Sequence, residues 1–327
     1  MTKPAAPACA RRTHHPVSGS DDLQVSIVIT TYRRQPMLAE LLKALRPQVV
    51  NCSAEVIIVD NCPAASARAV VHSLDDPALF YVHELQSGVV HARNRAVRTA
   101  RGTYVIFLDD DEVPATGWLD AWLEHADGLT DMSFGRVVPR FLNTCPAELA
   151  GQVERMFSRD LGHAAEQEDI SAFWAYLGTG NAMFHKQRCL GEAEPFDLRF
   201  NASGGEDVWL IGCLIKRGLR ALWNEKATVE ELVPHDRMTL PYLRARRHSQ
   251  GQLRCILMYG DGGMAGCARV LVWMGIGAVQ LVGGRLAALI ALWFAPRLAP
   301  EFLCTASGGA GKLLWWRTSQ MKAYSGG

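Results

Sequence analysis

The sequence predicts an α/β fold built on a mainly parallel sheet flanked by helices, and three observations predict it. Short apolar runs rich in β-branched residues recur along the first third of the chain. Most are followed by a stretch with apolar residues three and four positions apart. The distance between runs suits a strand, a crossover helix and the next parallel strand. Such sheets are covered on both faces, and their ligands collect at the carboxyl ends of the strands.

Val25 to Thr30 is an apolar run rich in β-branched residues, the pattern of a buried strand. Pro36 then opens a helix whose Leu38, Leu41, Leu42 and Leu45 share one side. A second strand, Glu55 to Asp60, leads into a helix over Ala64 to Leu74. A third, Leu79 to His83, leads into a helix over Val89 to Ala100. Tyr104 to Leu108 is the fourth strand. Beyond Asp131 the alternation loosens. Ser133 to Pro139 suits another strand, Asn143 to Ser171 is polar and carries no clear pattern, and Glu206 to Arg217 is helical in period. From Val270 to Pro296 the one charged residue is Arg285; Gly275, Gly277, Gly283 and Gly284 interrupt the stretch, and tryptophans stand near its edges.

At 327 residues the chain has room for one large domain or a domain with an appendage. We divide it into a disordered tail over 1–22, an α/β domain over 23–240 and a basic, apolar helical region over 241–327. The tail is rich in Ala, Pro, Ser and His and lacks the apolar core of a signal peptide, so a cytoplasmic catalytic part is expected. A net charge of +1 gives no global field for nucleic acid, and no such partner is expected. The nine cysteines form no C-x-x-C pair and no regular spacing, which suits free thiols in a reducing compartment.

Chemistry concentrates at the predicted strand ends. Asp109, Asp110, Asp111 and Glu112 follow the fourth strand directly. Four adjacent acids repel one another, and a divalent cation with oxygen ligands, Mg²⁺ or Mn²⁺, relieves that repulsion. An acidic turn or helix start explains them equally well. Asp60 ends the second strand; it suits a ribose or base contact, and the Asp-Asn-x-Pro sequence after it also suits a simple turn. Tyr32, after the first strand, is placed to stack on a base. His91, Arg93 and Arg95 put cations early in a helix, against its macrodipole, which a nearby anion explains. Gly204 and Gly205 precede Glu206 and Asp207, which complement a helix start or, in the chemical reading, supply a general base.

Taken in order, Ser26 to Arg34, Val59-Asp60-Asn61, Ala92-Arg93-Asn94, Phe107 to Glu112, Trp118-Leu119, Gly180-Asn181 and Gly205-Glu206-Asp207 resemble the family 2 glycosyltransferases of the GT-A fold. The resemblance runs from about residue 25 to 218. Asp60 to Arg68 particularly resembles the succinoglycan-type branch that builds exopolysaccharide. The resemblance implies that Thr30, Tyr32, Arg33 and Asp60 hold the nucleotide and that Arg93 contacts the nucleotide-sugar. It implies that Asp111 foremost, with Asp109, holds the metal, and that Asp109 and Asp110 lie beside the nucleotide-sugar. It further implies that Gly180 and Asn181 shape the sugar pocket and that Asp207, with Glu206 beside it, is the catalytic base. Arg33 departs from the family's usual Asn at that position. The Q-x-x-R-W signature of processive synthases is absent, which implies one sugar per event. His235 is a further candidate metal ligand. The implied partners are a UDP-hexose donor and a glycan or lipid-linked glycan acceptor.

Two other activities place comparable residues differently. A nucleotidyltransferase also sets acids at such a sheet edge but wants a glycine-rich loop after the first strand, and Thr31 to Pro36 has none. A non-catalytic sugar-binding protein predicts loss of the acids, and all are present. For the apolar C-terminal stretch three arrangements stay open: helices lying in a membrane interface, a helical hairpin buried on the main domain, and a membrane span. With the basic residues from Arg244 to Arg254 and Lys312, Arg317 and Lys322, the expected location is the cytoplasmic face of the inner membrane.

Overall fold

The computed structural model describes residues 23–50, 52–162, 168–260 and 262–317. The tail over 1–22 and Lys322 lie outside them.

Eight strands form one sheet: β1 (Val25–Thr31), β2 (Ala54–Asp60), β3 (Leu79–His83), β4 (Tyr104–Asp109), β5 (Glu112–Pro114), β6 (Met132–Phe141), β7 (Ala182–His185) and β8 (Ala221–Val233). Their order is β3-β2-β1-β4-β7-β6-β8-β5. The first four strands are mutually parallel, as expected. Beyond β4 the sheet is mixed. β7 runs antiparallel to β4 and β6, β5 antiparallel to β8, and β6 with β8 is parallel again.

Within the parallel half, β1, β2 and β4 are buried on both faces. Ile27 and Ile29 of β1 point into one core with Leu38, Leu41, Leu42 and Leu45 of helix α1 (Gln35–Val49). Val28 points into the other, with Val90, Ala96 and Val97 of α3 (Val89–Thr99). Strands with no solvent face show no polar alternation, which is why they read as continuous apolar runs. In register, Thr31 lies beside Asp60 and Thr30 beside Asp109. The carboxyl ends of β1, β2 and β4 therefore meet along one sheet edge.

The helix expected over Ala64 to Leu74 shrinks to α2 (Arg68–His72). The preceding residues wind around Asp60, whose carboxylate accepts the Cys62 and Ala67 backbone N–H groups at 2.9 and 2.7 Å, and Ala65 takes a left-handed φ of +50°. Within the polar stretch after Asn143 lies α5 (Ala147–Phe157), with Leu149, Val153, Met156 and Phe157 buried. Between β5 and β6 runs α4 (Trp118–His125), and after β7 a short α6 (Lys186–Leu190). Helix α7 (Glu206–Lys216) follows the Gly204-Gly205 pair. None of the described cysteines is disulfide-bonded.

Three helices complete the described chain: α8 (Leu240–Tyr259), α9 (Gly263–Phe294) and α10 (Ala299–Leu313). Helix α9 is one unbroken element of 32 residues, about 48 Å at 1.5 Å per residue. Only 22% of its most apolar stretch is buried, so the buried-hairpin arrangement is not the one seen. Its buried face is Gly266, Val270, Gly277, Gly284, Ala288 and Ala291. The interrupting glycines thus divide into two kinds. A side chain on Gly277 would strike Gly309 O at 2.8 Å, and one on Gly284 would strike Phe302 O at 2.8 Å and Ala306 N at 2.9 Å. Gly275 and Gly283 face open space. Gly284→Leu should therefore lower stability by about 1–3 kcal/mol through overpacking against the α10 backbone. Gly283→Leu should not. Thermal unfolding of the two variants side by side checks this, and equal midpoints would refute the packing.

Candidate active site

The turn that leaves β4 carries the acids, and arginines from separate segments hold them. Asp110 accepts Thr31 Oγ1 at 2.8 Å and Arg34 Nη1 at 2.7 Å. Asp111 accepts the same Arg34 Nη1 at 3.0 Å and Arg237 Nη1 at 2.8 Å. Glu112 Oε2 accepts the Asp109 backbone N–H at 2.9 Å and closes the turn. The repulsion expected among four adjacent acids is thus relieved in part from within the protein. Asp110 and Asp111 are buried, while the Asp109 side chain remains 42% exposed. Of the two carboxylates expected to hold a metal, Asp109 is the open one and Asp111 is held by two guanidinium groups.

Arg93, early in α3, is buried and forms an ion pair with Glu206, the first residue of α7. Its Nη2 lies 3.8 Å from Asp109 Oδ1. The anion that justifies a cation early in this helix is therefore supplied by the protein. Burial pushes Glu206 up to about 7, against the pull of Arg93 and helped by Asp207. Its Oε2 has no hydrogen-bond partner. Asp207 follows, with Oδ1 accepting the Val208 N–H at 2.7 Å.

The segment 178–181 packs between these two groups of acids. A side chain on Gly178 would stand 3.1 Å from Asp207 Oδ2, and one on Gly180 would stand 2.8 Å from Asp109 Oδ2 and from Glu112 Oε1. Only glycine leaves both carboxylates free along this segment. Arg159 clamps it from behind, donating to the carbonyls of Gly135, Gly178, Gly180 and Asn181 at 2.6–3.3 Å. Asn181 is fully buried with φ +46°. It accepts Trp118 Nε1 at 2.8 Å and donates to the carbonyls of Arg136 and Ala227 at 2.9 and 2.7 Å. Asn181 is a strut that fixes the turn, and Gly180 is the member of that pair that meets the acids.

A cavity of about 1110 Å³ opens along this edge. Tyr32, Asn61, Gly88, Gly178 and Asp207 line it, together with residues of α8, α9 and α10. Arg33 is exposed with φ +56°, its guanidinium 5.2 Å from the centre of the Tyr32 ring. Thr30 is partly buried at the end of β1. Asp60 is fully buried and also accepts Tyr81 OH at 3.1 Å, so its first task is to fasten the 62–67 loop, with about one of its roughly four acceptor positions left over. His235 is exposed, and the side chain that its segment sends to Asp111 is Arg237.

Among the described residues no three His, Cys, Asp or Glu side chains converge as a closed metal-ligand set. The charge balance nevertheless fits a divalent cation. Asp109, Asp110, Asp111, Glu112, Glu206, Asp207 and Glu231 outnumber Arg34, Arg93, Arg159, Arg237 and Arg246. Burial, with the like charge of neighbouring acids, lifts Asp110 to about 6 and Glu231 to about 8. A hard cation that keeps its waters and bridges to phosphate needs only one or two such carboxylates.

Sequence reasoning missed Arg159, Arg237 and Glu231. Each lies far along the chain from the β4 acids in a segment that carries no motif, and only the fold brings it to them. Arg34 was within reach, since it closes the motif that begins at Ser26.

Residues 26–186 match the family described as Glycosyl transferase family 2. The chain belongs to that family. This glycosyltransferase is 29% identical to the succinoglycan biosynthesis protein ExoM of Rhizobium meliloti (strain 1021) over 252 residues, 71% of this chain and 74% of ExoM. It is 32% identical over 114 residues to the putative colanic acid biosynthesis glycosyl transferase WcaA of Escherichia coli (strain K12), 34% of this chain and 40% of WcaA. Both relatives point to the exopolysaccharide branch of family 2. The fold is similar to that of the mannosyltransferase PcManGT from Pyrobaculum calidifontis, solved in complex with GDP-Man and Mn²⁺ (TM-score 0.57, 19% identity, 93% of this chain and 91% of that one). It is also similar to Staphylococcus aureus TarS 1–349 in complex with UDP (TM-score 0.52, 14% identity, 90% and 91%). The fold of this family 2 glycosyltransferase is accordingly GT-A, with the apolar C-terminal helix appended. The family match ends at residue 186, before Glu206 and Asp207.

Proposed function

We propose that this glycosyltransferase is an inverting, non-processive enzyme. It moves a hexose from a nucleotide-diphosphate sugar, expected to be a UDP-sugar, to a hydroxyl of a lipid-linked or cell-envelope glycan. The observation that carries this reading is the placement of Asp207 and Asp109 against Gly178 and Gly180 of one short segment. A single displacement needs a base on one side of the sugar and charge compensation for the departing diphosphate on the other.

In this reading Tyr32 stacks on the base, and Thr30, Arg33 and Asp60 border the nucleotide. Asp109, with Asp111, holds Mg²⁺ or Mn²⁺, which neutralises charge on the diphosphate when bound. His235 takes no part in the ligand set. Asp207 takes the proton of the acceptor hydroxyl as its oxygen bonds to the anomeric carbon. The bond from that carbon to the phosphate oxygen breaks, and the nucleoside diphosphate leaves with the electron pair. Arg93 and Glu206 position the acids on either side.

The enzyme is further expected to work at the cytoplasmic face of the inner membrane. The outer face of α9 exposes Leu271, Val272, Val279, Leu289, Trp293 and Phe294, and residues 241–317 carry nine Lys and Arg against two acids. One face of α9 is committed to α8 and α10 and Arg285 is exposed, which favours a helix lying in the interface.

The test is a screen of nucleotide-sugars with the full chain, reading release of nucleoside diphosphate with and without divalent ion. One donor should be turned over with Mg²⁺ or Mn²⁺ and lose turnover on EDTA addition. Turnover unaffected by EDTA would overturn the metal role. Release of pyrophosphate from a nucleoside triphosphate and a sugar phosphate would overturn the reaction class.

A further inference from the structure

Arg159 does not line the cavity, although Ser158 before it does. It follows α5, and its backbone is fastened to β6 by two hydrogen bonds. The Val137 N–H donates to its carbonyl at 2.9 Å, and its own N–H donates to the Val137 carbonyl at 3.0 Å. The register of β6 slips between Gly135 and Val137, and the Gly135 carbonyl at this irregularity accepts Arg159 Nε at 2.9 Å. Nη1 donates to the Gly178 carbonyl at 3.3 Å. Nη2 donates to the carbonyls of Gly180 at 2.6 Å and Asn181 at 2.8 Å. The Phe134 ring centre lies 5.8 Å from the guanidinium carbon. Phe157, two residues before Arg159, is buried and stacked on Tyr242, so the root of the side chain is fixed as well.

Three of these four bonds fall on the segment that separates the acids. Gly178 stands against Asp207, and Gly180 against Asp109 and Glu112. Thr179 between them is fully buried, but its hydroxyl has no hydrogen-bond partner among the described residues. Among those residues no other donor reaches the Gly178 and Gly180 carbonyls. Arg159 is therefore what holds the backbone at both glycines. A planar guanidinium carries its donors in a rigid fork and so fixes the spacing of the carbonyls; an ammonium is a point charge and does not. All four bonds go to neutral carbonyls. The positive charge is thus left to attract Glu112, Asp109, Glu231 and Asp207 around it.

Resting on the glycosyltransferase reading above, we infer that Arg159 is a positioning residue for sugar transfer: through the Gly178 and Gly180 carbonyls it sets the distance between the base Asp207 and the acid Asp109. Standing behind the segment, it reaches neither donor nor acceptor. Its contribution belongs to the transfer step, in which the base and the departing diphosphate are held in one geometry. It does not belong to nucleotide binding at Thr30, Tyr32 and Asp60. A misplacement of about 1 Å in such a geometry costs on the order of 10²-fold in rate.

The experiment compares the full chain with Arg159→Lys, Gly178→Ala and the double variant. It reads kcat and donor KM with the nucleotide-sugar that the parent protein turns over, and UDP affinity by calorimetry. Arg159→Lys keeps the charge and loses the fork, so kcat should fall by about 10–100-fold with donor KM and UDP affinity nearly unmoved. Arg159→Gln, which buries no charge, stands in if Arg159→Lys fails to fold, and the same split is expected. Gly178→Ala sets a methyl group 3.1 Å from Asp207 Oδ2 and should lower kcat severalfold by itself. In the double variant the loosened segment yields to the methyl group, so the two losses should combine to less than their product. Parent-like kcat in the Arg159 variants would overturn the inference, as would losses that multiply in full. A fall in UDP affinity matching the fall in kcat would overturn it too, since Arg159 would then only hold the fold. If the parent protein turns over no nucleotide-sugar, the transferase reading fails and takes this assignment with it. Parent-like kcat in the variants removes the assignment alone.

Discussion

Asp207→Asn should slow sugar transfer by about 10²–10⁴-fold, the contribution of a positioned general base, with little change in nucleotide affinity. The substitution keeps size and shape, so the turn before α7 survives. Gly204 and Gly205 hold φ of +73° and +91° there, and the Oδ1 that accepts the Val208 N–H has its counterpart in Asn. What is lost is the ability to take a proton. Gly178 brings no side chain against Oδ2, and both residues line the cavity. The change should therefore appear in kcat with KM for the donor nearly unmoved, and UDP binding by calorimetry should match the parent protein. A variant that transfers sugar at the parent rate would remove Asp207 from the chemistry. A parallel loss of UDP affinity would make it a donor-binding residue instead.

The second large effect concerns stability. Arg93→Met should destabilise the fold by about 3–5 kcal/mol, the usual cost of removing one partner from a buried pair. The Arg93 and Glu206 side chains are 9% and 3% exposed, so water cannot replace the missing guanidinium. Arg93 also packs 5.8 Å from the Phe196 ring centre and supplies positive charge near Asp109. Combining Arg93→Met with Glu206→Gln removes the stranded charge, and much of the stability should return because contacting residues are not additive. Activity should not return, since Asp109 still lacks its counter-charge. Chemical denaturation of the two single variants and the double variant closes the cycle. Additive losses would mean that the two side chains do not act as a pair.

The parallel half of the fold was legible because β1, β2 and β4 are buried on both faces and so read as apolar runs. The mixed half was not. β6, β7 and β8 owe their directions to partners far along the chain, and no local pattern encodes whether a neighbour runs parallel or antiparallel. The helix expected from Ala64 failed for a local reason that only geometry reveals. Asp60 draws the Cys62 and Ala67 N–H groups to itself, and the turn consumes the residues that a helix would have used. The acids at Asp109 to Asp111 and the Glu206-Asp207 pair stood out as charge where charge is costly, whereas Arg159 and Arg237 carried no such mark. The structural task of Asn181 also carries no mark in the sequence: its amide holds a left-handed turn through partners on three other segments.

By itself, then, the sequence determined the strand runs, the acidic clusters and the apolar C-terminal stretch, because each is written in residues adjacent or one helical turn apart. The tertiary structure decided which charges neutralise the acids, that Gly178 and Gly180 keep Asp207 and Asp109 uncovered, and that α9 shows one face to α10 and the other outward. Those outcomes depend on side chains brought together from segments as far apart as Arg34 and Arg237, and their pairing is set by the packed fold.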